Sequence, residues 1–278
     1  MSLLKNRNIV VFGISADTIA SHQAFAKSER LNFALLADTN KQVTRTYGVL
    51  GPTGLPNRVS FIIGPDGTVR GIDGSVDRQF SGSVGNARIS QHGENIALLL
   101  SDWKAEVGAA VPNFFLPNYD GATVSARSYG DKAVVIAFLS ARDPGSHAAA
   151  QTLRILATNL LYKEVRFLAV DPNFDESADE IGAFVKSSGL PFPVARDAYN
   201  EVAGHFAVRE TPSVWVLNAG GVVVYQGALE ESIGVTTTRG PANLVKESLD
   251  ALLSGRPVPV TRTAVKGSAV RSARVTLR

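Results

Sequence analysis

The chain has 278 residues, 45% hydrophobic and 19% charged, a length that predicts one large or two modest domains. It contains no cysteine, which excludes disulfides, thiolate nucleophiles, Cys-ligated zinc, iron–sulfur clusters and Cys-x-x-Cys redox chemistry. Six of the 28 basic residues (Arg256, Arg262, Lys266, Arg271, Arg274 and Arg278) lie in the acid-free stretch 256–278, and the other 22 face 25 acids, so a net charge of +3 conceals a body of −3 and a tail of +6. The six charges alternate with Val and Thr and lack aromatic neighbours, a poor nucleic-acid platform, so a solvated or surface-packed arm is expected. No apolar run reaches the roughly 18 residues that span a membrane, and Met1–Asn8 turns polar before a signal-type core could form. A soluble, cytoplasmic protein is expected.

The first short apolar run, Ile9 to Ile14, predicts a buried strand of the kind found in parallel sheets. A helix follows, opened near Asp17, and a second short helix starts after Asp38. Two apolar runs then flank Gly64-Pro65-Asp66-Gly67, a hairpin turn. Ile96, Leu99, Leu100 and Trp103, at i, i+3, i+4 and i+7, predict a closing helix.

The same order returns further along. At an offset of 159, Phe25, Lys27, Ser28, Leu31, Phe33, Asp38, Val43 and Val49 meet Phe184, Lys186, Ser187, Leu190, Phe192, Asp197, Val202 and Val208 without a gap, and Tyr47 meets Phe206. Shorter offsets bring Val10-Val11-Phe12 onto Val165-Arg166-Phe167 and Phe61-Ile62-Ile63 onto Trp215-Val216-Leu217. The second copy therefore predicts a strand at Val165 to Val170, a helix after Asp175-Glu176-Ser177, a short helix after Asp197 and a hairpin about Asn218-Ala219-Gly220-Gly221. It closes with a helix carrying Val245, Leu249, Leu252 and Leu253, with Pro241 near its start and Gly255 just past its end. This copy is preceded by a Pro- and Asn-rich lead-in from Val111, an apolar strand at Ala133 to Leu139, and a helix from about Asp143 to Leu161. The first copy has no counterpart, since about eight residues precede its first strand. The expected organisation is a partial module at 1–107, a complete module at 108–255 and a basic tail at 256–278.

Taken together these residues resemble the thioredoxin-like superfamily, and within it peroxiredoxins and redoxins of the alkyl hydroperoxide reductase/thiol-specific antioxidant (AhpC/TSA) type. Val11-Phe12-Gly13-Ile14-Ser15-Ala16-Asp17, Leu36-Ala37-Asp38, Tyr47-Gly48-Val49 and Arg58-Val59-Ser60-Phe61-Ile62-Ile63-Gly64-Pro65-Asp66-Gly67 follow the C-terminal half of a peroxiredoxin in order. Residues 111 to 228 are similar to a complete redoxin domain. The resemblance implies an α/β thioredoxin-like fold, a mixed central sheet flanked by helices, in two tandem copies of which the first is truncated. It implies that Arg58 matches the arginine that helps hold the peroxide, and that Thr211-Pro212 stands where the fold places a cis-proline beside the active site. It also implies that Asp143 takes the place of the reactive cysteine at a helix start, and Ser268 that of a late Gly-Cys pair, after Arg256-Pro257-Val258-Pro259-Val260. An Asp-Pro pair is a good N-cap and N1 combination, worth on the order of 1 kcal/mol. A carboxylate there keeps a negative charge but neither accepts oxygen from a peroxide nor forms a mixed disulfide.

Other constellations weigh less. Asp143 and His147, at i and i+4, could share a metal or act as an acid–base pair, but one carboxylate and one imidazole beside Arg142 make an incomplete site, and the capping role is favoured. His205 is expected in a half-exposed structural role, and His22 and His92 have no ligand partners at motif spacing. Ser81-Gly82-Ser83-Val84-Gly85 lacks the first glycine of a nucleophile elbow, so hydrolase activity is not expected. No glycine-rich loop precedes a helix in phosphate-cradling form.

The favoured reading is a redox-inactive pseudoenzyme with a binding or structural role at the groove around Asp143, Thr211 and Pro212. The alternative is a peroxiredoxin-like antioxidant acting with a partner thiol or in a longer form of the gene product, so whether the chain is an enzyme stays open. No cofactor or metal is implied; a protein partner is expected, a homo-oligomer is left open, and neither membrane nor nucleic acid is expected as a partner. If the central strand is missing from the first copy, the strands of Ile9–Ile14 and Val59–Ile63 should pair directly or be covered by the second copy or another subunit.

Overall fold

The computed structural model describes residues 9–63, 67, 69–73, 103–127, 131–160, 162–198, 200–230 and 242–272. The turn Gly64-Pro65-Asp66, residues Ile96, Leu99 and Leu100 of the expected closing helix, the Ser81–Gly85 stretch, His92, Pro241, Arg274 and Arg278 lie outside them, whereas Trp103, the last residue expected in that helix, is described and is not helical. The chain divides into two compact units, Met1–Phe61 with Ile72–Ala97, and Ile62–Gly71 with Leu98–Arg278.

In the N-terminal part, β1 (Phe12–Ser15) lies parallel to β2 (Ala34–Ala37), joined through α1 (Ile19–Ser28). The α1 cap is Thr18, whose side chain accepts the Ser21 N–H, one residue beyond the expected Asp17. The short α2 (Gln42–Thr46) follows Asp38, and β3 (Ser60–Ile63) pairs with β4 (Val69–Asp73) in a second two-stranded sheet. Direct pairing of the first and third strands is therefore corrected: among the described residues β1 bonds to β2 and β3 to β4. Each pairing is with the nearest strand in sequence, which closes a shorter loop than β1 with β3 would.

In the C-terminal part, a hairpin of β5 (Phe115–Pro117) and β6 (Thr123–Ser125) precedes β7 (Ala133–Phe138), α3 (Pro144–Asn159), β8 (Val165–Asp171), α4 (Ala178–Ser188), β9 (Val194–Arg196), α5 (Glu201–His205), β10 (Glu210–Thr211), β11 (Ser213–Asn218), β12 (Val223–Gly227), α6 (Leu244–Leu253) and β13 (Ser268–Ala269). Five strands form one sheet in the order β12-β11-β7-β8-β9; β7, β8 and β9 run parallel, and β11 and β12 antiparallel. All six residues of β7 are buried, as befits a strand covered on both faces. Alternation sends Ala133, Val135 and Ala137 toward Leu153 of α3, Ile181 of α4 and Leu249 of α6. Val134, Ile136 and Phe138 face Phe114, Phe206 and Trp215 on the other side. The mixed, helix-flanked sheet of the thioredoxin-like architecture is thus present.

The repeat register reappears in the backbone. Arg30 (φ 50°) answers Gly189 (61°), Lys41 (58°) answers Asn200 (57°), and Gly48 (66°) answers Ala207 (51°), each pair at the 159-residue offset. Asp38 accepts the Thr44 N–H at 2.8 Å, and Asp197 accepts the Ala203 N–H at 2.7 Å. The shared acceptor has opposite electrostatic results. Burial, which three backbone N–H groups do not offset, pushes Asp197 up to about 6. At Asp38 burial also acts upward, but the bonds from Thr44 and Val43 outweigh it and hold the carboxyl below its ordinary value.

Candidate functional site

The site lies beyond the C-terminal ends of β7 and β8, where α3 begins. Pro144 occupies the first turn of α3 and Asp143 is its N-cap, an arrangement in which proline forfeits an N–H that would have no intrahelical partner. Asp143 Oδ1 accepts the Gly145 N–H at 3.1 Å and the Ser268 hydroxyl at 2.8 Å. Its Oδ2 accepts the Ser146 N–H at 3.0 Å and the Ser146 hydroxyl at 2.8 Å. Two donors on each oxygen fill the carboxylate's acceptor positions. No lone pair is left over to bind a metal or take a substrate proton.

The Thr211–Pro212 bond is cis, as expected from the resemblance. A Cβ added at Gly145 would stand 3.3 Å from Pro212 Cδ, so the start of α3 lies close against the proline. The tail docks here as a strand, with Glu210 opposite Ala269 and Thr211 opposite Ser268. It is held upstream as well: Thr263 N–H donates to Gln226 O at 3.1 Å, and Ala228 N–H donates to Thr263 Oγ1 at 3.0 Å. Gly227 makes this approach feasible, because at φ 147° a Cβ would stand 2.2 Å from Thr263 Oγ1. Of the two states expected for the tail, the surface-packed one is found through residue 272, with ordered strand pairing.

Beneath the strand lies a buried acidic pair, Asp171 at the end of β8 and Glu176 before α4. Glu176 is fully buried and accepts the Ser140 hydroxyl at 2.5 Å, the Ala141 N–H at 2.6 Å and Arg271 Nη2 at 2.6 Å. Burial and the adjoining Glu176 push Asp171 up to about 8. For Glu176 burial acts upward too, but the bonds from Asp171, Ser140, the Ala141 N–H and Arg271 outweigh it and hold it below its ordinary value. One proton is therefore kept between the two, on Asp171 at neutral pH. Arg271 also lowers Asp175 through its hydrogen bonds, and Ser177 with Arg142 holds Glu180 at about 2.

The raised Asp171 makes folding sensitive to pH. Between the unfolded value near 4 and about 8 the folded chain keeps a proton that the unfolded chain has lost. Stability from this group is then full below about 4, falls by up to about 1.4 kcal/mol per pH unit above it, and levels off beyond about 8. Asp171→Asn, which stays neutral, should gain on the parent chain as pH rises from about 5 to about 8 in urea titrations. Parallel pH curves for the two proteins would contradict the shared proton.

Four of the five expected site residues, Asp143, Thr211, Pro212 and Ser268, are brought together. The fifth, Arg58, is exposed ahead of β3 and belongs to the N-terminal unit. At the offset that lays Phe61 on Trp215, it occupies the place of Pro212. His147 meets the Ala141 carbonyl at 2.8 Å, and since a carbonyl only accepts, its Nε2 carries the proton; the ring stands edge-on to Phe184, away from any metal role with Asp143. His205 bonds to Trp103 O and stacks on its ring at 4.1 Å, the structural role expected. No group of three metal-ligating side chains occurs among the described residues.

Sequence reasoning missed Glu176 and Arg271, and also the contact of His22 with Ser15. Ser15 Oγ donates its one proton to Asp17 at 2.6 Å, so His22 Nε2, 2.7 Å away, donates to Ser15. That direction is opposite to what an activated serine needs.

The family model described as AhpC/TSA family matches residues 1–72 and 107–226. Alkyl hydroperoxide reductase C of Bacillus subtilis is 29% identical over 97 residues, which make up 32% of this chain and 52% of that protein. Thiol-disulfide oxidoreductase ResA of Bacillus thuringiensis is 26% identical over 123 residues, 44% of this chain and 70% of that protein. The chain thus spans about half the length of the first of these relatives. Among solved structures, an uncharacterized conserved protein from Geobacillus kaustophilus is 28% identical with a TM-score of 0.56, covering 62% of this chain and 95% of that one.

Proposed function

Because the chain belongs to the AhpC/TSA family and yet contains no cysteine, we propose that it is a redox-inactive redoxin with a binding or structural role centred on the groove at Asp143, Thr211, Pro212 and Ser268. The observation that carries this reading is the carboxylate of Asp143 with all its acceptor positions filled, one of them by Ser268. Reduction of a peroxide needs a group that takes up an oxygen and is later reduced back, and neither a carboxylate nor a hydroxyl does so. A thiol brought by a partner would need the place that Asp143 and Ser268 occupy. In this reading residues 1–107 are a partial module, 108–255 the complete one and 256–278 the basic tail, which closes over the groove with residues 267–271.

The test is a peroxidase assay and an insulin-reduction assay on the native chain, with thioredoxin or dithiothreitol as reductant. No turnover above the buffer blank is expected in either. Turnover in either overturns the reading.

A further inference from the structure

We propose that the groove formed by β10, the start of α3 and the acidic residues Asp175 and Glu176 is a binding site for an extended peptide segment with glycine at one position and arginine four residues later, and that residues 267–271 of this chain occupy it in cis. The inference rests on the reading of the groove as a binding site and names the ligand it takes.

The first element is a strand edge. β10 lies outside the five-stranded sheet, and among the described residues its pairing partner is β13. The Val270 N–H adds a bond to Arg209 O at 2.9 Å, and the Gly267 N–H one to Glu210 Oε2 at 2.9 Å. Such an edge accepts any extended backbone, and the flanking subsites select among them.

Two subsites select. At Gly267 an added Cβ would stand 2.0 Å from Thr211 O, a backbone atom that cannot step aside, so only glycine lets the strands meet. At Arg271 the guanidinium spans two carboxylates, Nε to Asp175 at 2.8 and 3.0 Å and Nη2 to Glu176 at 2.6 Å. A planar fork reaches both at once, as a lysine ammonium would not. The backbone is gripped at the same residue: Arg271 N–H donates to Asn173 Oδ1 at 2.9 Å, and Phe174 N–H donates to Arg271 O at 3.2 Å. Asn173 and Glu176 are both buried, so this pocket is part of the folded body rather than a pair of surface charges. Between the subsites, Ser268 reaches Asp143.

The arm itself is shallow. Lys266, Gly267, Ala269 and Ser272 are exposed, and Val270 is half-buried. It stays in place through hydrogen bonds, one ion-paired arginine and the high local concentration of a tethered ligand. A competing segment therefore meets a small open fraction, which weakens its apparent affinity in proportion.

The experiment uses a fluorescent peptide with the sequence of residues 264–272 and the full-length chain in three forms: native, Gly267→Val and Arg271→Glu. Each substitution expels the arm, one by a clash with Thr211 O and the other by placing a carboxylate against Asp175 and Glu176. The peptide should bind each variant at least about tenfold more tightly than the native chain, and a peptide with glutamate for its arginine should bind none of them. Variants with native circular dichroism that bind no better than the native chain overturn the proposal, as does equal binding of the two peptides. Should a variant fail to fold, hydrogen exchange on the native chain decides: excess peptide should hasten exchange at the amides of Gly267, Val270 and Arg271, and unchanged rates overturn the proposal. Peroxide turnover by the native chain would defeat the reading of the groove whatever the peptide does, whereas a silent peptide without turnover defeats this inference alone.

Discussion

Glu176→Ala is expected to lower the stability of the C-terminal unit by about 3 kcal/mol. The loss does not come from the charge as such. The substitution leaves the Ser140 hydroxyl and the proton of Asp171 without their acceptor inside the protein, leaves the Ala141 N–H only its longer bond to Asp171 Oδ2 at 3.2 Å, and removes one of the two carboxylates that hold Arg271. The Arg271 end is 38% exposed and partly rehydrates, which keeps the figure at the lower end for a broken buried pair. Glu176→Gln keeps the shape and one acceptor oxygen, and should lose about half as much. Urea midpoints read by tryptophan fluorescence are the measurement, since the two tryptophans, Trp103 and Trp215, both lie in this unit. A Glu176→Ala midpoint equal to that of the native chain would mean that the buried network contributes nothing.

Phe206→Ala is expected to have the larger effect, about 4 kcal/mol. Phe206 is 2% exposed and sits among four rings, with centroids 5.2 Å from Phe138, 5.3 Å from Trp215, 5.8 Å from Trp103 and 5.9 Å from Phe114. Four rings anchored on three different segments cannot collapse together into the void, so the cavity persists and its cost adds to the lost burial. A loss below about 1 kcal/mol in the same urea titration would show that the cluster repacks. Tyr47, its counterpart in the first copy, is half-buried and meets Phe61 edge-on at 4.8 Å. The pair Tyr47–Phe61 repeats the edge-on geometry of Phe206–Trp215, and among the described residues no further ring contact is made by either.

Much of this was legible in the residues themselves because the forces concerned act over three or four positions. The run Ala133 to Leu139 is apolar on both alternating faces, and it became a strand buried on both. Asp143-Pro144 became a cap and first turn, and Ser177 with Glu180 closed a capping box at the end of the acidic run 175–177. Asn218 to Gly221 turned between two strands as glycine and asparagine allow. The one-residue error at Thr18 is of the same local kind: Asp17 is an equally good cap by type, and Ser15 drew it away. For the groove, the resemblance singled out Asp143, Thr211, Pro212 and Ser268 one by one.

Their meeting was another matter. Ser268 and Asp143 are 125 positions apart, and no periodicity links them; the chain path over β12 and back along β10 does. Glu176 stands in an acidic run that reads as a solvated helix start, and only the closing of loop 140–141 and the arm over it makes it a buried acceptor. Arg271 counted toward a diffuse +6 in the sequence, and in the fold it is one charge committed to two carboxylates. The sequence alone determined that the chain itself carries no thiol and where most of the described strands, helices and caps fall, because composition and local hydrogen bonding depend on neighbours along the chain. Only the tertiary structure decided that the two expected sulfur positions bond to each other and that the tail covers them, because burial and pairing between distant residues exist only once the backbone has brought them together.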